Sequence, residues 1–291
     1  MSVSGMAQLF AGANQTGVNI VEVTGASQRY EKTRASELIS NGLWRQISST
    51  SVFVPPAGAT SLICFGFPFA PGLLPDFTGQ FVQFTNLAGS PVLNRNLSSS
   101  AFDNQTESAL LVKQARAFEV RLSFRALFLT QWRTVIDAQL SGTQASRDGD
   151  PILTWEMFPA AISGLDPLLK YLKITQGLDI AIDGWWDYKA SLTYWLLLSL
   201  DSGGTLQGFV ARQSFWVESG IKHNGIVAAL APQVSAGAGV LNIQLASALS
   251  AATAGFTFTD LYYMPGNQTG APATGVITGF TTQDVTIVLQ L

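Results

Sequence analysis

Along much of the chain the apolar side chains fall on every second residue. In Phe118-Glu119-Val120-Arg121-Leu122-Ser123-Phe124-Arg125-Ala126 they hold the even positions, with charged or hydroxyl residues between them. A strand with one wet face has this period of two, and a helix, with its period of 3.6, does not. The same alternation runs through residues 178–183, 285–291, 241–245 and 256–259. Shorter runs at 18–23, 51–54, 61–67, 80–84, 152–158, 191–200 and 208–217 bring the predicted strands to about a dozen. Turn-forming clusters punctuate them: Pro55-Pro56-Ala57-Gly58, Arg147-Asp148-Gly149-Asp150-Pro151, Asp201-Ser202-Gly203-Gly204 and Met264-Pro265-Gly266-Asn267. Helical pattern is predicted only for 103–116, 131–140 and an Ala-rich 245–254.

Short strands separated by turns predict an all-β sandwich or barrel of the jelly-roll kind, with elaborated loops or a second small β-subdomain. Strands do not alternate with helices, which excludes a doubly wound or TIM-barrel layout. No internal repeat of 20–50 residues points to a propeller or solenoid. Residues 1–50 read as an N-terminal arm and first strand, and 51–291 as the sandwich. A further boundary is predicted at Ser163-Gly164-Leu165-Asp166-Pro167.

Composition narrows the function. Only 12% of the chain is charged, against about 25% in ordinary domains. The 18 Phe, 7 Trp and 6 Tyr exclude a disordered chain. A net charge of -3 excludes a nucleic-acid binder that works by bulk electrostatics. From His223 to Gln283 the one formally charged side chain is Asp260. A free surface ordinarily carries charge to stay soluble. A segment this neutral is expected to be buried, packed against other subunits or in contact with a membrane. A surface made soluble by Ser, Thr, Asn and Gln is the plainer alternative. Residues 1–17 show neither a basic start nor an apolar core, so the chain is expected to be cytosolic when made, or to leave the cell by lysis or a dedicated system. The longest apolar run, 192–200, is too short for the roughly 20 residues of a spanning helix.

Candidate chemistry is sparse, and no enzyme is expected. The lone His223, beside Lys222, reads as a surface residue, and Cys64 as a small buried hydrophobe. No Gly-Lys-Ser/Thr is present to cradle phosphate, and Ala236-Gly237-Ala238-Gly239 reads as a turn. Asp179 and Asp183 share the polar face of a predicted strand near Asp187. With Trp185, Trp186 and Tyr188 beside them they sketch a sugar platform. Asp148 and Asp150 begin like a calcium loop but lack its closing Glu. The Asn-X-Thr/Ser triplets at Asn14, Asn96, Asn104 and Asn267 are incidental to an Asn- and Thr-rich chain. Leu241, Ile243 and Leu245 alternate with Asn242 and Gln244, the period of a lipid-inserting hairpin over 239–247. No catalytic, cofactor or metal residue is assigned.

A neutral, strand-rich chain of this length, with strands such as 118–128 and 284–291, resembles the viral jelly-roll capsid proteins. It is most similar to the larger of the two single-jelly-roll major capsid proteins of tailless, membrane-containing icosahedral phages. The resemblance implies a virion protein standing upright in a shell. Its implied partners are copies of itself, a second, smaller capsid protein and an internal lipid membrane, with no specific nucleic acid. Arg29, Lys32, Arg34 and Arg45 are then candidates for touching lipid or a neighbouring subunit. The alternatives left by the residues alone are a pore-forming protein and a carbohydrate-binding sandwich.

Overall fold

Strands make up 48% and helices 21% of the computed structural model, so the protein is mostly β and built from antiparallel sheets. Described are residues 5–24, 28–53, 58–66, 76–87, 91–98, 100–114, 118–157, 159, 162–184, 186–270 and 275–291. The chain divides into two compact units. The first comprises Met1–Arg121, Met264–Thr281 and Gln290; the second comprises Leu122–Tyr263, Thr282–Leu289 and Leu291. Residues 163–167 lie inside the second unit, and residues 1–50 belong to the first.

The first unit pairs two sheets. One has the order β2 (Thr16–Val23), β1 (Met6–Gly12), β4 (Ser49–Phe53), β7 (Val92–Asn96). The other has the order β15 (Gly275–Phe280), β6 (Gln80–Leu87), β5 (Ala59–Gly66), β8 (Ser108–Gln114), β3 (Tyr30–Thr33). Alternate residues of both sheets share one hydrophobic core. Ala7, Leu9 and Val52 come from the first, and Leu62, Cys64, Val82, Phe84 and Leu111 from the second. This is a β-sandwich, and the same unit carries one short helix, α1 (Ala35–Ser40).

Its pairing is nested. The β5–β6 hairpin is innermost; β4 pairs with β7 and β3 with β8 outside it, and β2 pairs with β1. Three further antiparallel contacts, β1 with β4, β5 with β8 and β15 with β6, complete the two sheets. Residues 103–116 are not the predicted helix: Ser108–Gln114 is strand β8, and 115–117 lie outside the described residues. Nearly every side chain of β8 is buried, so the wet face that produces alternation is missing.

Polar groups cover the outer face of the second sheet in a closed network. Ser61 Oγ meets Thr85 Oγ1 at 2.7 Å, and Gln83 Nε2 donates to Ser61 and to Gln268 Oε1. Gln114 Nε2 also donates to Ser61, and Arg121 reaches Gln114 Oε1 at 2.7 Å and Glu119 at 3.0 Å. Each group finds partners within the network, the condition under which buried polar groups are tolerated.

The second unit is built on a four-stranded meander, β10 (Ala145–Met157), β11 (Lys170–Ile180), β12 (Tyr188–Leu200) and β13 (Leu206–Val217). Two helices, α2 (Phe124–Leu140) and α3 (His223–Thr253), pack on one face of it and on each other. The alternating run 118–126 divides at Ser123. Strand β9 (Glu119–Ser123) ends there, and Ser123 Oγ accepts the Ala126 N–H at 3.0 Å as the N-cap of α2. Between α2 and the sheet, Trp132 stands edge-on to Tyr194, with ring centres 5.4 Å apart, and donates its Nε1–H to Gln176 Oε1. The Tyr194 hydroxyl donates to the Val234 carbonyl of α3 at 3.0 Å. Helix α3 approaches β13 closely at Gly208, where a Cβ would stand 2.6 Å from Leu198 and 2.7 Å from Leu249.

Helix α3 overturns one expectation outright. Leu241 to Leu245 are not a strand, so no hairpin exists at 239–247 to insert into lipid. Leu241 and Leu245 lie one helical turn apart and are both buried, while Ile243 points away and is 70% exposed. A buried pair at i, i+4 with one outward apolar residue between them mimics a period of two. The short helix predicted at 245–254 is the end of this longer one, and residues 256–259 are not a strand. A smaller three-stranded sheet has the order β14 (Asp260–Pro265), β16 (Val285–Gln290), β9.

Candidate functional surface

The outer side of α3 is the surface most in need of a function. Its 31 residues include no Asp, Glu, Lys or Arg. At 1.5 Å per residue it is about 46 Å long. The inner stripe, Ile226, Leu230, Val234, Gly237, Leu241, Leu245 and Leu249, recurs every three or four positions and is buried in the second unit. The opposite side presents Ala228, Pro232, Ala236, Gly239, Ile243 and Ala246, all exposed. Ile221 before the helix and Phe256 after it extend the apolar exposure beyond both ends. Only 28% of its most apolar 18-residue window is buried, unlike a core helix. The neutral stretch noted in the sequence is therefore not hidden, for its first half, inside the chain that carries it.

Asn242 shows how the helix is held. Its Oδ1 accepts the Val210 N–H from β13 at 2.6 Å, so a polar residue of α3 is spent on a strand amide. Outward of it, the hydrogen-bonding side chains are neutral: Gln233, Ser235, Ser247 and Ser250.

The residues singled out in the sequence are scattered. Cys64 is buried in the first unit, and desolvation pushes its thiol up to about 12. His223 opens α3, its Nδ1 3.2 Å from the Glu218 carbonyl. Asp179 pairs with Lys189, which also meets Asp148 at 3.3 Å. Asp150 is taken by Arg133 at 2.5 Å and Arg125 at 3.1 Å, the bonding of an ion-pair cluster rather than a calcium loop. Trp186 is 88% exposed, while the Tyr188 hydroxyl accepts the Lys222 N–H; Trp185 lies outside the described residues.

All four candidate lipid-contacting cations are engaged in interactions. Arg29 donates to the Lys113 carbonyl and to Gln290 Oε1, Arg34 pairs with Asp76 at 2.9 Å, and Arg45 with Glu107 at 2.9 Å. No group of three or more His, Cys, Asp or Glu side chains suited to a metal occurs among the described residues. No family model, curated protein or solved structure matches this chain.

Proposed function

We propose that the protein is a structural subunit of a viral shell, a major capsid protein whose first unit is a jelly roll. A jelly roll is a nested antiparallel ribbon wrapped into two sheets. The pairs β5–β6, β4–β7 and β3–β8 are three rungs of such a ribbon. The outermost rung would join the strand before β3 to one after β8. Here β1 takes that last place, entering from the N-terminal side and joined to β2 by a hairpin. This strand order supports the fold, and jelly rolls serve viral capsids and lectins alike.

The observation that carries the shell role over the lectin role is the uncharged outer side of α3. Water gains about 25 cal/mol for each Å² of apolar surface withdrawn, and interface cores are depleted of charge. Copies of this chain, together with a smaller second coat protein, are the partners that such a surface suits, and the virion is where the protein resides. Host cytoplasm is the site of synthesis. A second use of the same helix, contact with an internal bilayer, is favoured by its length and apolar composition, which are sufficient for a membrane span.

The test is sedimentation of the purified full chain over a range of concentrations, with negative-stain microscopy, beside quantification of the chain across a density gradient of the source lysate. Concentration-dependent ordered assemblies and a particle band rich in the chain are expected. A strict monomer that is missing from every particle fraction overturns the proposal. Flotation with liposomes measures the bilayer contact separately.

A further inference from the structure

The two sheets of the first unit differ by one strand. On the side where one sheet ends at β7, the other continues past β6 to β15. The core-side residues of β15, Val276 and Thr278, pair in register with Phe84 and Val82 of β6. With no strand of the first sheet beyond β7, Val276 is left 53% exposed. The result is a slot of about 380 Å³ at the edge of the sandwich, walled by Val82, Phe84, Phe102, Val276 and Arg95.

Arg95 is the anomaly. Along β7 the inward positions alternate as Leu93, Arg95, Leu97, and both leucines belong to the hydrophobic core. The arginine therefore stands where the pattern calls for an apolar side chain. Its Nε is buried with no hydrogen-bond partner, and no carboxylate among the described residues pairs with it. Its Nη1 reaches only the carbonyl of the adjacent Asn94, at 3.4 Å. The side chain as a whole is part-buried, and a guanidinium whose Nε is shut away from water without a partner gains from a ligand that supplies an acceptor and the opposite charge.

We propose that this slot binds a small carboxylate with a compact apolar or aromatic body. The guanidinium fork matches a carboxylate in shape and charge. Phe84, Phe102 and Val276 offer apolar walls for the body, and the volume lies within the range of small-molecule pockets. A phosphate dianion would leave a net negative charge against apolar walls, which disfavours it. The site lies in the sandwich and is independent of the α3 surface.

The experiment is thermal unfolding and calorimetric titration of the full-length protein with benzoate, 3-phenylpropionate and hexanoate at millimolar concentrations. Neutral 3-phenylpropanol and inorganic phosphate serve as controls. The carboxylates are expected to bind and raise the Tm, and the controls are not. Arg95→Met is expected to weaken carboxylate binding about tenfold or more, the loss of a charge-assisted contact, while matching or exceeding the wild-type Tm without ligand. Thr278→Phe blocks the slot while leaving Arg95 in place, and is expected to lose binding with its fold intact. Absence of binding by every carboxylate overturns the proposal. So does equal binding by phosphate, by the neutral alcohol or by Arg95→Met.

Discussion

Helices α2 and α3 pack on the same face of the same meander, yet their outer sides have opposite chemistry. Around α2, Arg125 and Arg133 share Asp150, and Asp137 takes a two-pronged contact from Arg147, with Nε 2.6 Å away. These bonds hold both carboxyls below the usual Asp range: Arg147 acts chiefly on Asp137, and Arg133 chiefly on Asp150. The outer side of α3 has nothing that titrates beyond His223 at its start. Both helices bury apolar stripes, so packing does not explain the difference. The inner face answers to the fold, and the outer face answers to whatever surrounds it: water and counter-charges for α2, another apolar surface for α3.

The sharpest way to break this contrast is to compare two residues of α3 that stand two positions apart. Leu241→Ala removes a fully buried side chain and is expected to cost about 2–5 kcal/mol, whereas Ile243→Ala should stay within about 0.5 kcal/mol. Urea denaturation of the two variants measures both; equal costs would mean that α3 has no outer face. Next in size is Gly208→Ala, which drives a methyl group into Leu198 and Leu249. A loss of about 1–3 kcal/mol is expected from such overpacking, and an unchanged denaturation midpoint would show that α3 can shift outward freely.

Charge separates association from stability. Ile243→Glu should leave the unfolding midpoint within about 0.5 kcal/mol of wild type, as ordinary surface changes do, while abolishing the proposed assembly in sedimentation. The matched change on α2, Ala138→Glu, should leave assembly intact. Acid gives a smaller effect, which in this contrast falls on the α2 side. A carboxylate with a lowered folded pKa stabilises above its unfolded value, near 3.9 for Asp, and loses that contribution as pH falls through the folded value. Both carboxylates are largely exposed, so each pair contributes about 0.5 kcal/mol or less. Asp137→Asn should therefore destabilise slightly at pH 6 and progressively less as the pH falls through the folded value; a cost that does not shrink in acid would mean that shape, not charge, is involved. Smallest of all, the Cys64 thiol, buried and with its pKa near 12, should resist alkylation at pH 8 until the first unit unfolds. Rapid labelling of the native protein would show that the sandwich opens.

Strands with one wet face were legible from the residue pattern, as in β12 and β13, although of β11 only the end at 178–180 was. Of those covered on both sides, β5, β6 and β16 were foreseen but β8 was not: it reads as a continuous apolar run, which a helix can also produce. Helix α3 was obscured for a different reason. Its stripe from Ile226 to Leu249 has clear 3–4 spacing, but Gly, Pro232 and the accidental alternation around Ile243 argue locally against a helix. The sandwich was foreseen but its strand order was not readable, because β1 and β15 are recruited from distant parts of the chain by the sheets they complete. The unusual neutrality of residues 223–283 was legible from charge alone, although not its exposure on a helix. Arg95 left a trace that went unused: a charged residue in the apolar beat of Leu93 and Leu97.

The pairing of β15 with β6 sets a timetable for biosynthesis. Thr85 is partnered by Gly275, so β6 waits while Leu122–Tyr263, the main part of the second unit, is translated. At ribosomal speed that interval is on the order of 10–40 s. During it the second sheet ends in a bare edge, Gln80–Leu87, with phenylalanines at 81 and 84. An open apolar edge of this kind can pair with another nascent chain. The last strand of the sandwich to be synthesised thus serves as its guard, and neighbouring polysomes are where its late arrival matters most.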